Sequence, residues 1–147
     1  MEFFYCPSSD QYKIMVFFLD PPDSPSMIYT LGSNNSWRSI SEHIRFPRSR
    51  SASFNGALNW VCSDDSRSKK CEGICAFDIE NEAVRFLILA PPQIRGIREA
   101  RGLNVTLCRG SLSLFLERRK AWDGLDVWIM KEYAVVSSWT KLHAVLS

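Results

Sequence analysis

The chain has 147 residues, of which 46% are hydrophobic and 12% aromatic, a composition that suits one domain with a buried core and excludes a disordered chain. Its formal net charge of +2 gives no field strong enough to indicate nucleic acid or a membrane surface as a partner. No stretch approaches the roughly 18 consecutive apolar residues of a membrane helix, and the first residues lack the pattern of a signal peptide. We therefore expect an intracellular protein, cytoplasmic or nuclear.

Taken in chain order, the predicted elements are short β-strands joined by polar turns. The first is an apolar strand at 12–19, which Pro21 and Pro22 end because proline cannot donate to a strand ladder. Three later segments each consist of a β-rich run, a polar link and a second alternating run, the pattern of a β-hairpin. These hairpins are predicted at 27–40, 74–87 and 125–142.

Glycine turns precede the second and third hairpins. Asn55-Gly56 and Arg109-Gly110 each open a Gly-x-Leu pattern that is followed by an aromatic residue. Glycine suits a turn that needs a positive φ, and the residues after it alternate as they do in a strand. Between the last two hairpins, residues 94–101 can hold one helical turn at most, and no helical periodicity extends over a longer window.

The hairpins recur with a period near fifty residues. Ile28, Phe77 and Trp128 occupy matching places in the three hairpins and are separated by 49 and 51 residues. Such a period, with several strands per unit, is typical of kelch-like propeller blades. Because closed propellers carry roughly four to eight blades, three repeats predict either a kelch-like partial propeller or a sandwich of β-meanders. The predicted fold class is all-β, built of antiparallel hairpin repeats.

The sequence contains no recognisable catalytic or metal-binding constellation. His43 and His143 do not neighbour a Gly-x-Ser-x-Gly elbow or another nucleophile motif. The acidic group Asp78, Glu80 and Glu82 straddles a hairpin turn, where we expect solvated side chains and backbone capping. The cysteines lack the paired spacing of zinc ligands and are predicted to be free thiols buried on strands: Cys6, Cys62, Cys71, Cys75 and Cys108. We predict a protein that is not an enzyme and that has no metal or other cofactor.

The candidate partner-binding residues are basic and aromatic. The best basic cluster consists of Arg95, Arg98, Arg101 and Arg109, and arginine is favoured at protein interfaces. The first three of these arginines are the predicted partner contacts. Trp122 lies in a predicted turn, where it is either an exposed contact residue or packed on a neighbouring blade. The other tryptophans lie in strand patterns and are predicted to be mainly in the core: Trp37, Trp60, Trp128 and Trp139. The loops predicted to carry specificity are 45–51, 63–70 and 94–101.

Five segments, in order, resemble motifs of plant F-box-associated domains and cover nearly the whole chain. They are FYCPSSDQYKI at 4–14, YTLGSNNSWR at 29–38, FNGALNW at 54–60, ICAFDIENEAVRF at 74–86 and DVWIMKEYAVVSSWTKL at 126–142. The corresponding family patterns are FGYDxxxxDYKV, YSLxxNSWR, xNGxLHW, ILSFDLENExFR and xxWVMKEYGVxxSWTKL. The chain departs from them at Cys6, where the family usually has aspartate, and in a polar insert at 62–70.

The resemblance implies a β-rich domain that selects the protein to be ubiquitinated, while a separate F-box helix bundle docks on the adaptor of a Skp–cullin–F-box ubiquitin ligase. No F-box precedes Phe4, so we expect residues 1–147 to be an incomplete recognition domain, with the cullin-ligase adaptor a partner only if an F-box is present elsewhere. The family shares no substrate-contact motif, so no binding residue is carried over. Two alternatives stay open: an RNA-associating β domain that uses the basic loop, which a steep salt dependence would reveal, and a truncated non-functional remnant.

Overall fold

The computed structural model describes residues 1–17, 26–32, 37–40, 44, 46–63, 71–95, 103–117 and 125–144. Besides one helical turn, α1 (Pro92–Arg95), and a 3₁₀ turn at Val136–Ser138, every regular element in these residues is a strand. No helix within these ranges is long and apolar enough to span a membrane. The strands are β1 (Glu2–Cys6), β2 (Gln11–Val16), β3 (Met27–Thr30), β4 (Trp37–Ser39), β5 (Phe46–Pro47), β6 (Ala52–Phe54), β7 (Ala57–Ser63), β8 (Gly73–Asp78), β9 (Ala83–Leu89), β10 (Leu103–Cys108), β11 (Ser111–Glu117), β12 (Leu125–Met130) and β13 (Trp139–Ala144).

The strands form three antiparallel sheets that follow one another along the chain. The first sheet has the order β1-β2-β3-β4 and the third has the order β10-β11-β12-β13. The second has the order β5-β7-β8-β9, with β6 also paired to β7. Ile28, Phe77 and Trp128 lie on β3, β8 and β12, the third strand along each path, so the period near fifty is the repeat of one sheet. The predicted hairpins and the all-β, propeller-like class are confirmed.

Tight turns that contain glycine set the register of two hairpins. Asn55 and Gly56, which join β6 to β7, have φ values of 54° and 71°. Arg109 and Gly110, which join β10 to β11, have φ values of 51° and 75°. Positive φ at both central residues is the geometry of a type I′ hairpin turn, whose twist matches that of the flanking strands. The predicted glycine turns are therefore confirmed.

Two hydrophobic cores lie between the sheets. The first core, between the first and second sheets, contains Phe4, Cys6, Met15, Ile28, Ile40, Leu58, Trp60, Cys62, Cys75, Phe77 and Ile79. The second core, between the second and third sheets, contains Val61, Cys71, Ile74, Ile88, Ala90, Ile94, Leu103, Val105, Leu112, Leu114, Trp128 and Met130. Each sheet thus packs on the next through large apolar side chains, and the second sheet is covered on both faces.

Strand β7 is the wall between the two cores, and all seven of its residues are buried. Trp60 belongs to the first core and Val61 to the second, as expected for side chains that alternate along a strand. Asn59 donates its amide to the Ala52 carbonyl oxygen at 3.1 Å and accepts the Tyr133 hydroxyl at 2.9 Å. The buried side-chain amide of Asn59 is therefore satisfied, as a buried amide must be.

The burial of the tryptophans differs from the sequence prediction at one position. The prediction that Trp37 lies in the core is wrong: its side chain is 48% exposed on β4, where its ring packs on Tyr29 at 5.1 Å between centroids. Strand alternation does not show which sheet faces are covered by a neighbour. Trp60 and Trp128 are buried as predicted, and Trp139 is partly buried.

Smaller differences concern the ends of predicted elements. The strand predicted at 12–19 is β2, which ends at Val16, and positions 18 and 19 lie outside the described residues. A single helical turn is found between the last two hairpins, but it begins at Pro92, where the missing N–H of proline costs nothing. Burial raises the pKa of the Cys71 thiol to about 12. No disulfide joins the cysteines, all of which lie in described residues; Cys6, Cys62, Cys71 and Cys75 are buried and Cys108 is partly buried.

Candidate protein-interaction surfaces

The strand connections emerge at two opposite ends of the stacked sheets. Because neighbouring antiparallel strands run in opposite directions, alternate connections leave a sheet from opposite ends. One end, which we call the turn face, carries the tight turns at 7–10, 55–56, 79–82 and 109–110. At the other end, which we call the loop face, β2, β7, β9 and β11 end and β3, β8, β10 and β12 begin.

Of the four predicted partner-binding residues, the structure describes Arg95 alone. This residue ends α1 on the loop face, is exposed, and donates from Nε to the Ala90 carbonyl oxygen at 3.0 Å. Arg98, Arg101 and Trp122 lie outside the described residues. The strands that flank these positions, β9 with β10 and β11 with β12, have their joined ends at the loop face. Arg95 is therefore the one predicted partner-binding residue that the structure places, and it lies at the loop face.

The three loops predicted to carry specificity have different settings. The described part of the loop 45–51, residues 46–51, runs along β7. Arg48 donates from its backbone N–H to the Val61 carbonyl oxygen of β7 at 2.7 Å and from Nε to Ser63 Oγ at 2.9 Å. Most of this segment is therefore held against the second sheet. Residues 64–70 and 96–102 lie outside the described residues, so the predicted loops 63–70 and 94–101 are described only at their ends.

A concave site that the sequence analysis did not identify lies on the turn face, between the first and second sheets. This turn-face cleft has a volume of about 680 Å³ and forms where the β1–β2 turn meets the β6–β7 and β8–β9 turns. Its walls combine aromatic rings with exposed polar groups, a mixture that is common at protein interfaces. The exposed lining residues include Phe3, Tyr5, Pro7, Ser53, Asn55 and Glu80.

Arg85 joins two of the turns that border the cleft. Its guanidinium donates to Asp78 Oδ2 at 2.7 Å and to the Asn55 carbonyl oxygen at 2.7 Å. Asp78 Oδ1 accepts the backbone N–H groups of Glu80 and Asn81 at 3.0 and 2.9 Å, which confirms the predicted capping role. The hydrogen bond from the Asn81 backbone, and then that from Arg85, lower the pKa of Asp78. The charged carboxylate therefore holds both turns in place at neutral pH.

A second ion cluster joins the first sheet to the β8–β9 turn. Lys13 Nζ and Arg38 Nη2 each lie 2.5 Å from Glu82 Oε1, and the Glu82 side chain is 22% exposed. Burial by itself raises the pKa of Glu82, but the hydrogen bonds from Arg38 and Lys13 outweigh it and lower the pKa. The prediction that Glu82 is a solvated turn residue is wrong, because its carboxylate is paired with Lys13 and Arg38. These partners lie 69 and 44 residues away in the sequence, so a short window around the turn does not contain them. Glu80, by contrast, is exposed as predicted.

The residues considered for metal binding form no metal site in the part of the chain that the structure describes. Within the described ranges, no group of three His, Cys, Asp or Glu side chains could hold a metal ion. His143 belongs to β13, and His43 lies outside the described residues.

Three stacked antiparallel sheets with a shared repeat define a β-propeller-like domain. Residues 4–147 match the F-box associated beta propeller domain, and the chain belongs to that family. This family is a protein-interaction domain of F-box proteins and is not a known class of enzyme. The family membership predicted from the five motifs is confirmed, and with it a protein as the general kind of partner.

One relative extends the comparison to a whole protein. An F-box/kelch-repeat protein of Arabidopsis thaliana is 30% identical over 153 aligned residues, which cover 97% of this chain and 39% of that protein. The chain thus spans about two fifths of the length of this relative. No solved structure matches the chain significantly.

Proposed function

We propose that this chain is the target-recognition domain of an F-box protein and binds the protein that a Skp–cullin–F-box ligase ubiquitinates. Membership of the F-box associated family and the F-box/kelch-repeat name of the Arabidopsis relative support this proposal. In the proposal, docking on the ligase adaptor falls to an F-box, and target binding falls to the surface of this chain.

The turn-face cleft is the observation that supports the proposal best. It is concave, it mixes aromatic and polar groups, and its rim is held by the Asp78–Arg85 ion pair at 2.7 Å. A rim fixed before binding loses little conformational freedom when a partner docks, which favours affinity. We therefore propose the cleft as the main target contact. The second proposed contact is the loop face, through Arg95, Arg98, Arg101 and Trp122.

Variants of the cleft test this assignment. In affinity capture from plant extract, the unchanged chain should retain a specific protein, and the double variant Ser53→Arg, Glu80→Arg should lose it. Both positions are exposed in the cleft, and both changes add bulk and positive charge there. The matched control is Ser137→Arg, which is exposed in the 3₁₀ turn between β12 and β13, outside the cleft, and should retain the partner. Equal capture by the double variant and the unchanged chain would remove the cleft from the proposal.

A variant of the loop face and a fusion to an F-box test the other parts of the proposal. The triple variant Arg95→Ala, Arg98→Ala, Arg101→Ala should weaken the same partner if the loop face contributes, and salt-resistant binding would argue against nucleic acid as that partner. A fusion of the chain to an F-box should bring down the cullin machinery together with the partner. The recognition proposal fails if the chain and the fusion share no specific protein.

A further inference from the structure

The segment that leads into the turn-face cleft alternates arginines with serines. It reads RSRSAS at 48–53 and continues with Phe54, so Ser53 has arginines both three and five residues before it. Ser51 also has an arginine, Arg48, three residues before it. Arginines at these spacings are the charge pattern by which basophilic protein kinases select a serine, because carboxylates of the kinase pair with the guanidinium groups. The sequence of this segment therefore contains two candidate phosphate acceptors.

The hydroxyl groups of the three serines in this segment have different settings in the fold. Ser49 Oγ accepts the Val61 N–H at 3.0 Å. Ser51 is partly buried, and its hydroxyl donates to Glu2 Oε2 at 2.7 Å. Ser53 is exposed, and its hydroxyl makes no hydrogen bond in the part of the chain that the structure describes. Of the two candidate acceptors, the folded chain therefore presents Ser53.

The arginine that would direct a kinase to Ser53 is also accessible. Arg50, three residues before Ser53, is exposed, whereas Arg48 is held against β7 through its backbone N–H and its Nε. Ser53 lies on β6, which is three residues long and pairs with β7 alone among the described strands. Extended segments at a sheet edge are readily bound by other proteins. Arg50 and Ser53 are therefore presented together on an extended, accessible segment.

We propose that Ser53 is a phosphorylation site for a basophilic serine kinase, and that phosphate at this position closes the turn-face cleft to the target. The γ-phosphoryl group of MgATP passes to Ser53 Oγ. The bond from phosphorus to the β,γ-bridging oxygen breaks, a bond from phosphorus to Oγ forms, the hydroxyl proton goes to the catalytic carboxylate of the kinase, and ADP leaves. The site does not depend on the proposed function, but its effect on the target rests on that function.

The charges of the cleft explain why phosphate would close it. Ser53 lines the cleft, and the charged groups among the described lining residues are Asp78, Glu80 and Arg85. Arg85 is the one cation of this set, and its guanidinium is already paired with Asp78 at 2.7 Å. A phosphoserine adds a charge of about −1.5 to −2 beside these carboxylates. A target that fits the unmodified cleft would have to remove water from this phosphate, so its binding weakens.

Site-resolved mass spectrometry tests the modification. The folded chain is incubated with MgATP and a purified kinase that selects arginine three residues before serine. We expect phosphate at Ser53 with an occupancy roughly tenfold or more above that at Ser51, whose hydroxyl is bonded to a carboxylate. Phosphate at Ser51 in preference to Ser53, or at neither serine, would overturn the proposal.

Two controls separate the sequence of the site from its presentation by the fold. An unstructured peptide of residues 46–56 lacks the hydrogen bond from Ser51 to Glu2, so both of its candidate serines should accept phosphate. In the folded chain, Arg50→Gln should slow the modification of Ser53 by about tenfold, because a charge-assisted contact to the kinase is lost. Lys131→Gln removes an exposed positive charge elsewhere and should leave the rate unchanged; equal rates for the two variants would contradict the role of Arg50.

Affinity capture in the presence of phosphatase inhibitors tests the effect on the target. The chain phosphorylated at Ser53 should retain about tenfold less of the partner than the unmodified chain does. Ser53→Asp should also retain less, whereas the uncharged variant Ser53→Asn, of the same size, should retain the partner. Undiminished capture by the phosphorylated chain refutes the closure of the cleft. If the unmodified chain captures no specific protein, the closure fails together with the proposed function, while phosphate found at Ser53 still supports the site.

Discussion

At the scale of single residues, Ala134 shows how one backbone conformation is held against its side chain. Its φ is 66°, in the left-handed region that glycine adopts freely and alanine does not. The family pattern KEYGV has glycine at this place. This conformation lets the chain reverse its direction between β12 and β13, and the Ala134 N–H donates to Met130 Sδ at 3.1 Å. The left-handed conformation of Ala134 costs conformational free energy, and it accompanies the turn that places Tyr133 against β7.

We predict that Ala134→Gly stabilises the protein. Removal of the β-carbon relieves the left-handed conformation, for which about 1 kcal/mol of added unfolding free energy is expected. Urea denaturation followed by circular dichroism measures the change. Ala83→Gly, at a strand position without a positive φ, is the matched control and should destabilise by about 0.5–1 kcal/mol. An Ala134→Gly variant that is no more stable than the unchanged chain would contradict the argument.

At the scale of elements, hydrogen bonds and ion pairs between the sheets hold them to one another beside the apolar cores. Tyr133, in the β12–β13 connection, donates to Asn59 on β7, and Trp139 Nε1 donates to the Leu89 carbonyl oxygen at 3.0 Å. Burial raises the pKa of the Tyr133 hydroxyl, so that group keeps its proton at neutral pH and can donate. The third sheet is thereby positioned on the second by directed contacts.

Loss of one such contact has a calculable effect. Tyr133→Phe leaves Asn59 Oδ1 without its hydroxyl donor inside a dry region, and we expect a loss of about 1–3 kcal/mol in unfolding free energy. The matched control is Tyr5→Phe, whose hydroxyl bonds Asp10 at the exposed surface and whose removal should cost less than about 0.5 kcal/mol. Equal losses for the two variants in urea denaturation would show that the Asn59 contact is not buried in solution.

The ion clusters at the turn face predict how stability depends on pH. Asp78 and Glu82 both have folded-state pKa values below their usual 3.8 and 4.5, so the unfolded chain binds more protons as the pH falls. Their contribution is therefore complete above about pH 5 and is lost as the pH falls through the folded values. Unfolding free energy measured from pH 6 to pH 3 should decline, and the decline should be shallower in Glu82→Gln. An unchanged slope in Glu82→Gln would refute the role of the cluster.

At the scale of the whole molecule, the sequence predicts the repeat but not the contacts between repeats. Alternation and glycine turns are local signals, so the hairpins and the type I′ turn at Asn55-Gly56 could be found from short windows. The turn-face cleft could not, because its lining brings Tyr5 of the first sheet together with Glu80 of the β8–β9 turn, 75 residues away in the sequence. The exposure of Trp37 likewise depends on which sheet lies beside it, a relation that strand periodicity does not contain. Arg98, Arg101 and Trp122 stay predictions.

The alternation of side chains along β7 determines the order in which the three sheets stack. Its even-numbered residues Leu58, Trp60 and Cys62 face one neighbour, while Asn59 and Val61 face the other. A slip of one residue would exchange the two sets, present the bulky ring to the wrong neighbour and leave the amide among apolar groups. The two-residue turn before β7 fixes the register and therefore determines which face of the second sheet packs on the first sheet and which packs on the third. The backbone conformation of two residues thus determines the direction in which the blades are assembled.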